Sequence, residues 1–99
     1  MIKFNLVETE DQLKQAIENI KSSKTLYLDT EFKRKKTFYL ELSLIQINDG
    51  NQITIIDIKK LKNADELWDI IHDESKLKIF HSLHEDIEAI TDRSKKKNQ

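Results

Sequence analysis

The sequence holds no cysteine, no proline and a single glycine, Gly50, in 99 residues. The missing cysteine excludes disulfides, thiolate zinc sites and thiol nucleophiles together. It fits a reducing compartment. Long hydrophobic runs are absent as well, and no stretch is long enough for a membrane-spanning helix. The opening Met1-Ile2-Lys3-Phe4-Asn5 lacks the apolar core of a secretory signal. These absences give the expectation of a soluble, cytoplasmic chain with no membrane partner. The length suits one domain with a modest core.

Charge is plentiful, at 35% of residues, and it is segregated. Residues 1–32 carry four Lys against six acids, and residues 33–62 seven bases against three acids. Residues 63–92 carry two bases against nine acids, and residues 93–99 four bases and no acid. The net charge of -1 therefore conceals fields of both signs. Residues 1–92 read as the structured part. Residues 93–99, with Lys95-Lys96-Lys97 and no apolar neighbour, read as a basic, disordered tail.

Ile2, Phe4 and Leu6 alternate with polar residues and predict a short strand. Thr9 and Gln12 have capping-box spacing, and Leu13, Ala16, Ile17 and Ile20 form one face of a helix running to about Lys21. Further strands are predicted at 25–32, 41–48 and 53–58, the last two joined by an Asp49-Gly50 hairpin with positive φ at both central positions. Asn63 is expected to cap a second helix, with Glu66 at its third position and Leu67, Ile70 and Ile71 buried. A fifth strand at 77–81 leads to a third helix capped by Ser82, with Leu83, Ile87 and Ile90 on one face. The order β-α-β-β-β-α-β-α predicts an α/β fold, a mixed β-sheet with flanking helices.

Several charged residues stand where such a fold does not need them. Asp29 and Glu31 are two apart on one strand and share a face, together with Tyr27. The apolar residues around them suggest a central, covered strand. Paired carboxylates there resist joint ionisation unless a divalent cation neutralises them, and hard oxygen ligands suit Mg²⁺ or Mn²⁺. The plain alternative is an exposed acidic patch. Asp86 falls on the apolar face of the third helix, where a buried carboxylate needs a partner; the alternative is an acid near the helix start favoured by the dipole. Lys33, Arg34, Lys35 and Lys36 follow the acidic strand and read as a loop at its rim, where cations hold phosphates. Phe38 and Tyr39 add rings on which a base stacks. His81, at the end of the fifth strand, is a further candidate contact to nucleic acid, or a hydrogen-bonded core residue. An acidic cage with a basic, aromatic rim suits phosphodiester hydrolysis by two cations about 4 Å apart.

Leu28-Asp29-Thr30-Glu31-Phe32 resembles the first exonuclease motif of the DEDD superfamily, and of ribonuclease D in particular. Thr37-Phe38-Tyr39 and then Leu42-Ser43-Leu44-Ile45-Gln46 resemble the stretch that follows it. Lys78-Ile79-Phe80-His81 and Glu85-Asp86-Ile87-Glu88 are similar to the second motif. The resemblance implies a ribonuclease H-like, 3′-5′ exonuclease fold, incomplete at its C-terminal side. It implies Asp29, Glu31 and Asp86 as catalytic, metal-binding acids, and two divalent metals, Mg²⁺ or Mn²⁺, as cofactors. It also implies RNA 3′ ends, such as tRNA precursors, as substrate. The family's third motif, with a fourth Asp and a Tyr or His, has no counterpart up to Gln99. The alternative expectation is an inactive relative that binds metal or nucleic acid, or one that needs a partner supplying the other half.

Overall fold

A computed structural model describes the backbone of residues 3–35 and 39–80 and the side chains of 3–31 and 42–80. Its elements are β1 (Lys3–Val7), α1 (Glu10–Ile20), β2 (Thr25–Lys35), β3 (Tyr39–Asn48), β4 (Gln52–Asp57), a 3-10 turn (Ile58–Lys60), α2 (Asp65–Ile71) and β5 (Leu77–Phe80). The predicted third helix and basic tail lie outside the described residues.

The strands form one sheet in the order β1-β4-β3-β2-β5. β1 pairs with β4, and β2 with β5, in parallel, while β3 runs antiparallel to both β2 and β4. The sheet is therefore mixed, as the element order implied. β1 and β5 are its edges among the described residues.

Strand alternation sorts the side chains onto two faces. Leu26, Leu28 and Thr30 of β2 share a face with Ile45 and Ile47 of β3 and with Thr54 and Ile56 of β4, and all are buried. Leu13, Ala16, Ile17 and Ile20 of α1 and Leu67, Trp68, Ile70 and Ile71 of α2 belong to the same core. Each aliphatic side chain fully withdrawn from water there contributes about 1.5–3 kcal/mol. The other face is open among the described residues. Phe4 (63% exposed) and Leu6 (54%) stand on it, as do Tyr27, Leu77 and Ile79. The apolar alternation that predicts β1 thus faces away from the core, and it is Val7 that is buried.

Local chemistry explains most boundaries. The Thr9 hydroxyl accepts the Gln12 N–H at 3.2 Å, and Gln12 Oε1 accepts the N–H groups of Thr9 and Glu8 at 3.2 and 2.8 Å. The capping box is therefore complete. The β3–β4 hairpin differs from its expected two-residue form. Its loop has three residues, 49–51, and Gly50 has φ +95°. Asp49 Oδ1 accepts the N–H of Asn51 and Gln52 at 2.9 and 3.0 Å, and Asn48 Oδ1 accepts that of Gly50 at 2.9 Å. Side-chain acceptors at two successive residues make the longer loop self-sufficient.

The second helix begins two residues later than its expected cap. Ala64 occupies the N-cap position, and Asn63 Oδ1 accepts the Asp65 N–H at 2.9 Å from one residue earlier. The Glu10 carboxylate accepts the Lys62 and Asn63 N–H groups at 2.6 and 3.3 Å, which ties α1 to this junction. Those backbone donors, Lys62 first, hold the Glu10 carboxyl below its ordinary range.

Candidate active site

β2 is an inner strand, between β3 and β5. Its leucines, at 26 and 28, go to the helix-covered face, so the residues between and beyond them go to the open one. Tyr27, Asp29 and Glu31 stand there together. The predicted shared face is present, but the predicted cover is not: Asp29 is half-buried and Glu31 exposed among the described residues. The physical reason is the period of two. The same alternation that buries Leu26, Leu28 and Thr30 carries both carboxylates away from the core.

Register sets the neighbours of the two acids. Asp29 is opposite Gln46 of β3, Glu31 is opposite Leu44, and Tyr27 is opposite Asn48. The pairing shifts between Glu31 and Phe32, an irregularity directly after the second acid. Such bulges twist a strand and re-aim its side chains. On one side of Asp29 lies a cleft of about 430 Å³ lined by Tyr27, Leu28, Asp29, Gln46, Asn48, Ile79 and Phe80. On the other is a hollow of about 30 Å³ lined by Asp29, Thr30, Glu31, Leu44, Gln46 and Ile55. Asp29 and Gln46 are common to both.

Among the described residues neither Asp29 nor Glu31 has a hydrogen-bond or ion-pair partner. Some other acids are engaged, while the side chains of Asp11, Asp65, Glu66 and Glu74 are likewise without a partner among the described residues. Glu8 pairs with Lys60, Glu18 with Lys21 at 3.0 Å, and Asp73 accepts from the Ser75 hydroxyl at 2.7 Å. Two hard-oxygen donors on one strand face, without a partner among the described residues, are a donor set that fits a divalent cation. No three such side chains converge among the described residues. The third expected acid, Asp86, lies outside them, as do His81, Lys36 and Phe38.

The basic run departs from its expected form. Lys33, Arg34 and Lys35 continue β2 rather than forming a loop, and Lys35 pairs with Tyr39 across the hairpin. β4 pairs with β3 only from Leu44 onward, and β5 pairs with β2 only as far as Leu28. Residues 32–35 and 39–42 thus form a two-stranded ribbon running past the five-stranded part of the sheet, on the side of the acids. Gln46 is the site neighbour that motif reading left without a role. The signal was available: one long polar side chain between Ile45 and Ile47, at the register position that faces Asp29.

Among the described residues no helix is long and apolar enough to cross a membrane. Comparison with known proteins agrees with the geometry. A family model of 3′-5′ exonuclease domains matches residues 4–98. Ribonuclease D of Shewanella sp. (strain ANA-3) is 35% identical over 86 residues, which are 87% of this chain and 22% of that protein. Ribonuclease D of Escherichia coli (strain K12) is 33% identical over 88 residues, 89% of this chain and 24% of that protein. The crystal structure of Escherichia coli RNase D, "an exoribonuclease involved in structured RNA processing", superposes with a TM-score of 0.83 at 32% identity. It covers 92% of this chain and 24% of its own. The Trypanosoma brucei RNase D structure shares the fold, with a TM-score of 0.80 at 20% identity over 91% of this chain and 33% of that one. The chain spans less than a quarter of the length of the two curated bacterial relatives. From the acids' strand, the mixed sheet beneath it and these matches, the chain belongs to the 3′-5′ exonuclease family, and its relatives there are ribonucleases D.

Proposed function

We propose that this chain carries part of the catalytic site of a ribonuclease D-type exoribonuclease, which removes nucleotides by hydrolysis from RNA 3′ ends, tRNA precursors among them. The observation that carries this reading is the pair Asp29 and Glu31, together on one face of β2 and without a partner among the described residues, in a chain of this family. Asp29, Glu31 and Asp86 are assigned as the metal-binding, catalytic acids, with two Mg²⁺ or Mn²⁺ ions. Bound cations of this kind activate a water and stabilise the leaving oxygen.

The chain's own residues would do the rest. Asp29 and Glu31 supply negative charge at alternate positions of a paired strand, so their Cα positions are held by the ladder to β3. Thr30, between them, is buried on the other face and anchors the strand to the core. Lys33, Arg34 and Lys35 of the ribbon, and Lys36 next in sequence, are assigned to the phosphates of the RNA strand, whose positioning they serve without reading sequence. Phe38, Tyr39 and His81 are assigned to the nucleotides nearest the cut. The cytoplasm, where structured RNA precursors are trimmed, is the proposed location.

A second reading is favoured by the open face: these residues alone bind metal or nucleic acid without cutting, or cut only beside a partner. Phe4, Leu6, Leu77 and Ile79 leave apolar surface on the side that bears the acids. Incubation of the purified chain with 3′-labelled RNA and Mn²⁺, beside an Asp29→Asn control, separates the two. Nucleotide release that the substitution abolishes supports the enzyme. Equal background in both, with RNA still retained, supports binding alone.

A further inference from the structure

Gln46 stands at an unusual position for its chemistry. It lies in the middle strand of the sheet between Ile45 and Ile47, both wholly buried, so its own side chain is on the open face. Strand interiors favour β-branched and aromatic residues, and glutamine gains little there from backbone preference. Its cross-strand neighbours are Asp29 on β2 and Ile55 on β4. Directly opposed residues have Cβ atoms about 4.5–5.5 Å apart, within reach of an amide at the end of a flexible side chain. Gln46 also shares with Asp29 the walls of both hollows that flank the acid. Among the described residues its amide has no hydrogen-bond partner.

The choice of an amide has a physical consequence. A Lys or Arg here would cancel part of the charge that Asp29 and Glu31 present to a cation. An aliphatic residue would leave the carboxylate free to turn. A neutral amide offers two N–H donors and adds no charge. Carboxylates that ligate metals are themselves held by hydrogen bonds, which orient the ligating oxygen.

We infer that Gln46 is a positioning residue for Asp29: once Asp29 holds a cation, the Gln46 side-chain N–H₂, opposite it across the β2–β3 ladder, would donate to the carboxylate and steady it. The inference rests on the assignment of Asp29 as a metal ligand made above, and the test separates the two. Mn²⁺ binding to the 99-residue chain is measured by the loss of the free Mn²⁺ electron paramagnetic resonance signal, without RNA. The variants are Asp29→Asn, Gln46→Met and Gln46→Asn. Met matches glutamine in length and lacks the donor, so packing is preserved, and thermal melting checks the fold. Asp29→Asn is expected to abolish the tight binding. Gln46→Met is expected to weaken it about tenfold, at the lower end of the usual effect for such outer contacts, with an unchanged melting midpoint. Gln46→Asn, which keeps a donor on a shorter arm, is expected to fall between Gln46→Met and the unsubstituted chain. Binding by Gln46→Met equal to that of the unsubstituted chain, with Asp29→Asn inactive, overturns the role of Gln46 alone. So does Gln46→Asn binding no better than Gln46→Met. Absence of Mn²⁺ binding by the unsubstituted chain, or binding unaffected by Asp29→Asn, overturns the metal assignment and the role of Gln46 with it.

Discussion

Thr54 offers the sharpest test of the sheet and its register. It lies on β4 between Ile53 and Ile55, paired with Asn5 on β1 and Ile47 on β3, and is 0% exposed. Its hydroxyl is the one buried side-chain polar atom without a hydrogen-bond partner among the described residues. A buried, unsatisfied hydroxyl costs about 1–3 kcal/mol of desolvation. Thr54→Val replaces that hydroxyl by a methyl of nearly the same volume and keeps the β-branch that suits a strand. The substitution is therefore expected to stabilise the fold, by about 1 kcal/mol at the conservative end of that range. For a domain of about 100 residues this raises the melting midpoint by about 4–8 °C. Circular dichroism during heating and during urea titration gives both quantities. The control is Thr30→Val. Thr30 is also buried, on the same face, but has a partner. Its substitution is expected to destabilise by about 1 kcal/mol. A Thr54→Val chain that melts at or below the original would refute the reasoning, because it would mean that the hydroxyl is satisfied and the β4 register is different.

Three further outcomes are expected. The Asp73 carboxyl is held below its ordinary value by the Ser75 hydroxyl first and the Ser75 N–H second, and Glu10 by the Lys62 and Asn63 N–H groups. A lowered folded-state value stabilises above the unfolded-state value, and this contribution is lost as pH falls through the folded-state one. Urea midpoints should therefore be level from neutral pH down to the ordinary carboxylate range and decline below it, and Asp73→Asn with Glu10→Gln should flatten that decline. Gly50→Ala places a Cβ at φ +95°, where it meets nothing within 4 Å, so only backbone strain opposes it. A loss of about 1 kcal/mol is expected from that strain, read as a lower melting midpoint; no loss would mean that the loop re-forms with a negative φ. Trp68→Ala removes a fully buried ring from α2 and is expected to cost about 3–5 kcal/mol, leaving the chain largely unfolded at 37 °C by the same spectroscopic measure.

Much of this molecule is legible in its sequence because the signals are local. The Thr9–Gln12 box and the Leu13, Ala16, Ile17, Ile20 stripe mark α1 almost residue for residue, since a cap and a 3.6-residue period need no information from elsewhere in the chain. The Asp-Gly pair marks the β3–β4 turn, yet not its length, because Asn48 and Asp49 both accept backbone N–H groups and stabilise one more residue. The basic run is the instructive departure. Polarity suggests a loop, but two strands in register close a ladder through Lys35 and Tyr39 that charge alone does not reveal.

What the sequence determined by itself was the shared side of Asp29 and Glu31, because residues two apart on a strand cannot do otherwise, and the helical stripe that opposes them. Only the tertiary structure decided which side that is. The helices cover the leucine face of β2, and the acids are left on the face that is open among the described residues, with Phe4, Leu6 and Ile79. Alternation divides a strand into two faces, but long-range packing chooses the buried one. The pairing of Asp29 with Gln46 belongs to the same class of fact, since the register between β2 and β3 is set by how their buried residues, Leu28 with Ile47 and Thr30 with Ile45, meet under the helices.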